Sequence, residues 1–306
     1  MLNKPINKKT IMSIKNIFSI ISIILTSYNF SYAQFTNTKV AELEKLKQEG
    51  TLVVAISDDE TTNKAAEEVM TSYWKASKYK IIKKSELENY IKANPENYIL
   101  TYLMNNDVHA FYKSNTQMAS QGSLRTHEAI IGDGLILTKN MKKIKKLKPT
   151  DAMIYSFIDV DMELVDVKAE FTREIGQMNS ILMFSGLKDN QIGGWKIPTI
   201  NQKEVITKEL WISDENLNKK GNDEAKMKAA YKPYNYKIVS KQEIAKAIIE
   251  KRKDIVYLAC TEYVVGAYMF VIHSADDNRA LFFMGGSNGF DVKDFEKIKN
   301  NKVYGN

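Results

Sequence analysis

The chain has 306 residues, 44% of them hydrophobic, which is enough for roughly two domains with buried cores. Its net charge is +7, of which residues 1–33 contribute +4, because they contain four lysines and no acidic residue. The remaining chain has a net charge of +3, which argues against a nucleic-acid partner. A single cysteine, Cys260, excludes an internal disulfide bond.

The N-terminus has the pattern of a secretory signal peptide. Lysines are followed by the apolar run "IFSIISIILTSYNF" (17–30), which is short for a membrane span. Ser31 and Ala33 then occupy the small-residue positions that precede a cleavage site. We therefore predict residues 1–33 to be a signal peptide cut after Ala33. The protein is expected in the periplasm or outside the cell, with no stable membrane anchor after cleavage. An uncleaved anchor is the alternative.

An internal repeat with an offset of 154–157 residues organises the rest of the chain. Four segments recur in the same order: "AISDDE" (55–60) as "WISDEN" (211–216), "YKIIKKSELENYI" (79–91) as "YKIVSKQEIAKAI" (236–248), "ENYILTYL" (96–103) as "KDIVYLAC" (253–260), and "NMKKIKKLK" (140–148) as "DFEKIKNNK" (294–302). A period of this length is too long for a solenoid unit and indicates two copies of one domain.

The predicted elements of each copy alternate between strands and helices. The first copy begins with the β-branched strand "TLVVAIS" (51–57), followed by a helix with apolar residues at helical spacing. A strand at 79–83 and a helix opened by a Ser85–Glu88 capping box come next. Further strands complete the copy, and in the second copy two of them, separated by "ADDN" (275–278), are typical of a hairpin.

This order, β-α-β-α-β-β-β-α, predicts two tandem three-layer α/β domains, each with a mixed, mainly parallel sheet. We place the first repeat domain at 34–148 and the second at 205–306. A connecting segment at 149–204 is predicted to contain a strand, a long helix and a Gly-rich loop.

Acidic residues follow the first strand of each copy. Asp58 and Asp59 stand where ligands bind in open parallel sheets, and carboxylates there can hold a divalent cation. The alternative is that these residues cap the next helix. The matching stretch of the second copy, "ISDEN" (212–216), retains the serine and the first aspartate. Because these are residues that cap helices, the match favours the capping role.

A second acidic group lies in "FIDVDME" (157–163). Asp159 and Asp161 alternate with apolar residues, so in a strand they share one face and could hold Mg²⁺ or Ca²⁺. A surface strand with a charged solvent face is the alternative. Trp195, in the loop "GGWKIP" (193–198), is the candidate contact residue for a partner.

The sequence contains no motif of a characterised enzyme family, and the two copies share no catalytic constellation. We therefore expect an exported, non-enzymatic protein of the bacterial cell envelope. Its partner is an unknown protein, a glycan or a small molecule, bound through the cleft or face between the copies. The alternative is a divalent-metal-dependent hydrolase or phosphotransfer-type enzyme that uses Asp58, Asp59, Asp159 or Asp161.

Overall fold

A computed structural model describes most of the chain beyond the predicted signal peptide. The described residues are 34–35, 40–103, 134–139, 152–157, 166–183, 202–218, 223–264, 267–287 and 289–300. They form two β-sheets covered by helices, so the chain is of the mixed α/β class, as predicted. None of the helices among these residues is long and apolar enough to cross a membrane. The predicted signal peptide, 1–33, lies outside the described residues.

The first half of the described chain, residues 34–183, builds a six-stranded sheet. Its elements are β1 (Gln34–Phe35), α1 (Val40–Glu49), β2 (Thr51–Ala55), α2 (Glu60–Tyr73), β3 (Lys78–Ile81), α3 (Leu87–Ala93), β4 (Tyr98–Leu103), β5 (Gly134–Lys139), β6 (Ile154–Phe157) and α4 (Val167–Met183). The strand order is β1-β6-β5-β4-β2-β3. β2 runs parallel to β3 and β4, whereas the β4–β5, β5–β6 and β6–β1 pairs are antiparallel.

The second half, residues 202–300, builds a five-stranded sheet. Its elements are α5 (Gln202–Thr207), β7 (Glu209–Ser213), α6 (Glu224–Tyr231), β8 (Tyr236–Val239), α7 (Lys241–Ile249), β9 (Ile255–Val264), β10 (Ala267–Ser274), β11 (Ala280–Ser287) and α8 (Val292–Lys299). The strand order is β8-β7-β9-β10-β11. β7 is parallel to both of its neighbours, and the β9–β10 and β10–β11 pairs are antiparallel.

Antiparallel pairs are therefore at least as numerous as parallel pairs in both sheets, and the prediction of mainly parallel sheets is wrong. The reason is connectivity. A parallel pair needs a crossover, usually a helix, whereas strands that follow one another through short turns reverse direction. β10 and β11 are joined in this way at 275–279, so the predicted hairpin is confirmed.

Each sheet lies between two layers of helices, and its strands are therefore buried on both faces. In β2, Leu52 and Val54 belong to a core with residues of α1, α2 and α4, while Val53 and Ala55 pack against α3. The second sheet is arranged alike, with α5, α6 and α8 on one face and α7 on the other. Apolar residues at successive positions of a strand are what a sheet covered on both sides requires.

The connecting segment contains the predicted strand and long helix. The strand is β6, which pairs with β5, so the first sheet includes a strand from this segment. The helix is α4, which packs against α2 of the first half and α7 of the second half. Residues 169–178 of α4 are all buried, as expected for a helix enclosed on every side. The Gly-rich loop and the repeat segment 140–148 lie outside the described residues.

The two halves differ at the start of the helices α3 and α7. The capping box predicted at Ser85 and Glu88 does not form, because α3 starts at Leu87 after a 3₁₀ turn. The Ser85 backbone N–H instead donates to Asp58 Oδ1 at 2.8 Å. At the matching position of the second half, Ser240 and Glu243 form a full capping box at the start of α7.

Candidate functional site

The acidic residues after β2 serve local structure. Asp59 is the N-cap of α2, and its Oδ2 accepts hydrogen bonds from the Thr62 backbone N–H at 2.6 Å and the Thr62 hydroxyl at 2.8 Å. Asp58 holds the start of the next helix through Ser85. These hydrogen bonds lower the pKa of both carboxyls, with Lys83 and Lys84 contributing at Asp58. The capping role is therefore present for Asp59, and Asp58 links two loops at the same edge of the sheet.

A lysine occupies the equivalent position beside each acidic turn. Lys84 precedes α3, and its backbone N–H donates to Ser57 O at 3.1 Å while its Nζ lies 3.5 Å from Tyr102 O. Lys241 begins α7, is only 2% exposed, and pairs with Glu215 at 2.6 Å. The sequence contained the signal, since "KK" (83–84) aligns with "SK" (240–241) in the repeat. This shared lysine is not among the predicted site residues, because the candidates in this part of the sequence were acidic.

Lys241 lines a small cavity at the carboxyl end of β7, beside Tyr257–Ala259 of the neighbouring strand β9. The other lining residues come from α4, the turn after β7, α7 and β9: Arg173, Ser213, Asn216, Ile244, Tyr257, Leu258 and Ala259. The strand order β8-β7-β9 makes this the point where successive crossovers leave in opposite directions, which is where open α/β sheets bind ligands. The cavity measures about 10 Å³, which suits one water molecule. In this conformation the side chains that line the cavity close it to anything larger.

A buried ionic cluster on α4 lies next to this cavity. The Arg173 guanidinium, 3% exposed, contacts the carboxylates of Glu170 and Glu174. Burial lowers the pKa of Arg173, but the two carboxylates outweigh that effect and hold its pKa well above the ordinary value. Buried charges are stable only when they are paired in this way. All three residues belong to α4, so the helix neutralises its own buried guanidinium where it faces the cavity.

An uncharged polar group completes the cluster on the sheet side. The Tyr257 hydroxyl donates to Asn278 Oδ1 at 2.9 Å, and its ring stacks on His273 with 5.3 Å between centroids. Burial, together with the positive charge of Arg173, lowers the pKa of His273 to about 3. His273 is therefore neutral at physiological pH and does not act as a cation in the cluster.

An open groove runs along the junction of the two halves, and we call it the inter-half groove. It has a volume of about 520 Å³ and is lined by residues of α2, the start of α4 and the end of α7: Lys64, Glu67, Glu68, Val69, Thr71, Ser72, Tyr73, Lys168, Thr172, Ile249 and Lys251. Volumes of 300–1,000 Å³ are typical of small-molecule sites. Unlike the cavity at Lys241, the groove is large enough to admit a ligand.

Two contacts cross this groove. The Lys168 ammonium pairs with Glu68 at 2.5 Å, and the Lys251 ammonium lies over the Tyr73 ring at 4.4 Å from its centroid. Burial raises the pKa of Tyr73 to about 12, with further effects from Asp276 and Asp277. Lys251 has a φ of 53°, a conformation that favours glycine at the end of a helix.

Several predicted site residues cannot be compared with the structure. Asp159, Asp161 and Trp195 lie outside the described residues. Within the described ranges, no group of three or more His, Cys, Asp or Glu side chains is placed to hold a metal ion. A site that combines Asp58 or Asp59 with Asp159 or Asp161 stays a prediction.

Comparison with known proteins provides no relative: no protein family, no curated protein and no solved structure matches this chain.

Proposed function

We propose that the protein is an exported, non-enzymatic binding protein of the cell envelope that holds a polar partner or ligand in the inter-half groove. The observation that carries the proposal is the composition of the groove, whose walls come from both halves of the chain. Export rests on the signal-peptide pattern of residues 1–33.

The groove offers groups for recognition rather than for covalent chemistry. Its floor is partly apolar through Val69, Tyr73 and Ile249, and its walls carry lysines, glutamates and hydroxyls. Pockets that combine an apolar surface with a few polar groups fix the orientation of a ligand. A glycan, a polar small molecule or a polar protein surface fits this chemistry. Lys251 of the second half reaches Tyr73 of the first half across the junction, so a bound partner contacts both halves together.

We also propose that the two halves derive from a tandem duplication, with repeat domains at 34–148 and 205–306. The four matching sequence segments support this proposal. The strand order shared within these bounds, β3-β2-β4-β5 in one sheet and β8-β7-β9-β10 in the other, supports it as well. In a duplicated protein, the junction between copies is a surface that neither copy has alone, which is a reason to place binding there.

Site-specific photo-crosslinking in the native host tests the proposed function. A benzoylphenylalanine at Ser72, an exposed residue of the groove, is compared with the same probe at Lys92, an exposed residue of α3 on the opposite layer of the first sheet. We expect one discrete adduct from position 72, identified by mass spectrometry as protein, glycan or small molecule. The probe at position 92 serves as the matched control for random collisions.

Two outcomes count against the proposal. Equal adducts at positions 72 and 92 place binding elsewhere, and recovery of the crosslinked protein from the cytoplasm contradicts export. A second variant, Ser72→Trp, fills the groove and is expected to abolish the adduct formed by a probe at neighbouring Thr71. An adduct that persists in this double variant shows that the partner does not occupy the groove.

A further inference from the structure

The edge strand β3 presents unpaired backbone groups along one side of the first sheet. Among the described residues, β3 has β2 as its single neighbour. The Ile82 backbone N–H donates to Val54 O at 3.0 Å, so Lys80 and Ile82 turn their peptide groups toward β2. By alternation, Tyr79 and Ile81 turn theirs outward. Such an edge is a template on which another strand can pair.

The two faces of β3 differ in chemistry. Lys78 and Lys80 are exposed on one face, where the Lys80 ammonium lies 4.7 Å from the centroid of the Tyr90 ring. Tyr79 and Ile81 are partly buried on the other face, beside α2. Together with Lys80 they line a groove of about 530 Å³ against Glu60, Asn63, Lys64 and Glu67 of α2, which we call the edge groove. A strand added at this edge places alternate side chains in the edge groove and beside the lysines.

The edge strand and the residues that flank it are positively charged, whereas Glu60 and Glu67 lie on the α2 side of the edge groove. Residues 75–84 contain five lysines and no acid. Lys78 and Lys80 form no salt bridge with any described carboxylate, whereas Lys237, at the matching place on edge strand β8, lies 3.8 Å from Glu243. Lysines on an edge strand repel a second edge of the same kind. The same lysines attract a strand that carries acids on one face.

We propose that β3 is a docking edge for an extended segment of a partner protein in which acidic and apolar residues alternate. The segment pairs its backbone with Tyr79 and Ile81, in the manner of other peptides that add a strand to a sheet edge. Its acids face Lys78 and Lys80, and its apolar side chains enter the edge groove. The edge groove adjoins the inter-half groove, with which it shares Lys64 and Glu67 of α2. The docking edge itself is made by β3, so this inference does not depend on the function proposed above.

Fluorescence anisotropy with a labelled octapeptide of alternating valine and aspartate tests the proposal on the full mature chain. We expect saturable binding that weakens by roughly tenfold or more in the Lys78→Glu/Lys80→Glu variant, since each attraction becomes a repulsion. Lys237→Glu on β8 is the matched control and should leave the dissociation constant unchanged. Circular dichroism checks that both variants are folded, so that loss of binding is not loss of structure.

Two further peptides separate strand pairing from simple attraction of charge. An N-methylated version of the octapeptide lacks backbone donors at alternate positions and should lose binding. An octapeptide of aspartate alone keeps the charge but lacks the apolar face and should bind much more weakly. If polyaspartate binds as well as the alternating peptide, or if N-methylation has no effect, the edge is a general polyanion site and the proposal is wrong. Absence of saturable binding by the alternating peptide also overturns it.

Discussion

Substituting alanine for Gly176 tests how α4 is held against the second sheet. Gly176 faces the turn between β10 and β11. A Cβ atom at this position would lie 2.6 Å from Asp277 O and 2.7 Å from Asn278 Cβ. Both contacts are closer than packed atoms allow, and both neighbouring atoms are tied to the backbone of the turn. The turn itself is constrained, because Asn278 has a φ of 57°.

The expected effect combines two opposing contributions. Alanine in the interior of a helix is favoured over glycine by about 1 kcal/mol. Overpacking a buried contact costs about 1–3 kcal/mol, and the rigid backbone partners place Gly176 in the upper part of that range. We therefore expect Gly176→Ala to lower the free energy of unfolding by roughly 1–2 kcal/mol.

Urea denaturation followed by circular dichroism measures this difference. The control is Met183→Ala at the exposed end of α4, which should change stability by no more than about 0.5 kcal/mol. The sign of the change in the free energy of unfolding shows whether the β10–β11 turn packs against α4 at Gly176. A variant that is more stable than wild type would show that the turn does not approach α4, because the intrinsic helix preference would then act alone.

The remaining predictions concern titration, capping and processing. Because His273 stays neutral down to about pH 3 while the unfolded imidazole takes up a proton near its ordinary pKa, stability should fall below pH 6.5 by about 1.4 kcal/mol per pH unit. His273→Gln should flatten this part of the urea profile, and an unchanged profile would contradict it. Tyr73, with a pKa of about 12, should make stability fall between about pH 10 and 12, because the unfolded phenol ionises first; Tyr73→Phe should reduce that fall. Asp59→Ala should lower the melting temperature and Asp59→Ser should restore most of it, whereas equal melting temperatures would exclude a capping contribution. N-terminal sequencing of the exported protein should begin at Gln34, and a retained Met1 would refute cleavage.

Elements with strong local patterns could be predicted from the sequence. The β-branched apolar runs of β2 and β7 and the helical spacing in α2 are set by neighbouring residues, which a single sequence displays. The direction of the later strands depends on how they are connected. The prediction of mainly parallel sheets was wrong for this reason. Ser85 shows the same limit on a smaller scale. Its sequence favours a capping box, but the carboxylate of Asp58, 27 residues away, takes its backbone N–H.

The burial of charged residues could not be predicted from the sequence. Glu170, Arg173 and Glu174 resemble the solvent-facing side of an amphipathic helix, and Lys241 resembles a surface residue. The three α4 residues are buried because that helix packs against both α2 and α7, and Lys241 is buried where it lines the cavity with Arg173. Residues distant in sequence create both environments. The inter-half groove could not be predicted either, since its walls come from three segments that are more than 75 residues apart.

The position of α4 has a consequence for dividing the chain. Its apolar residues Phe171, Ile175 and Met178 complete the core of the first half, while Arg173 and Gly176 face the second. A fragment ending after α4 would expose a buried guanidinium to solvent, and a fragment beginning after it would leave His273 and Tyr257 uncovered. Both halves therefore pack against α4, and removing either half exposes buried residues of the other. Expression of separate halves is expected to give insoluble or partly folded products, and mixing them should restore the fold only if α4 reinserts between them.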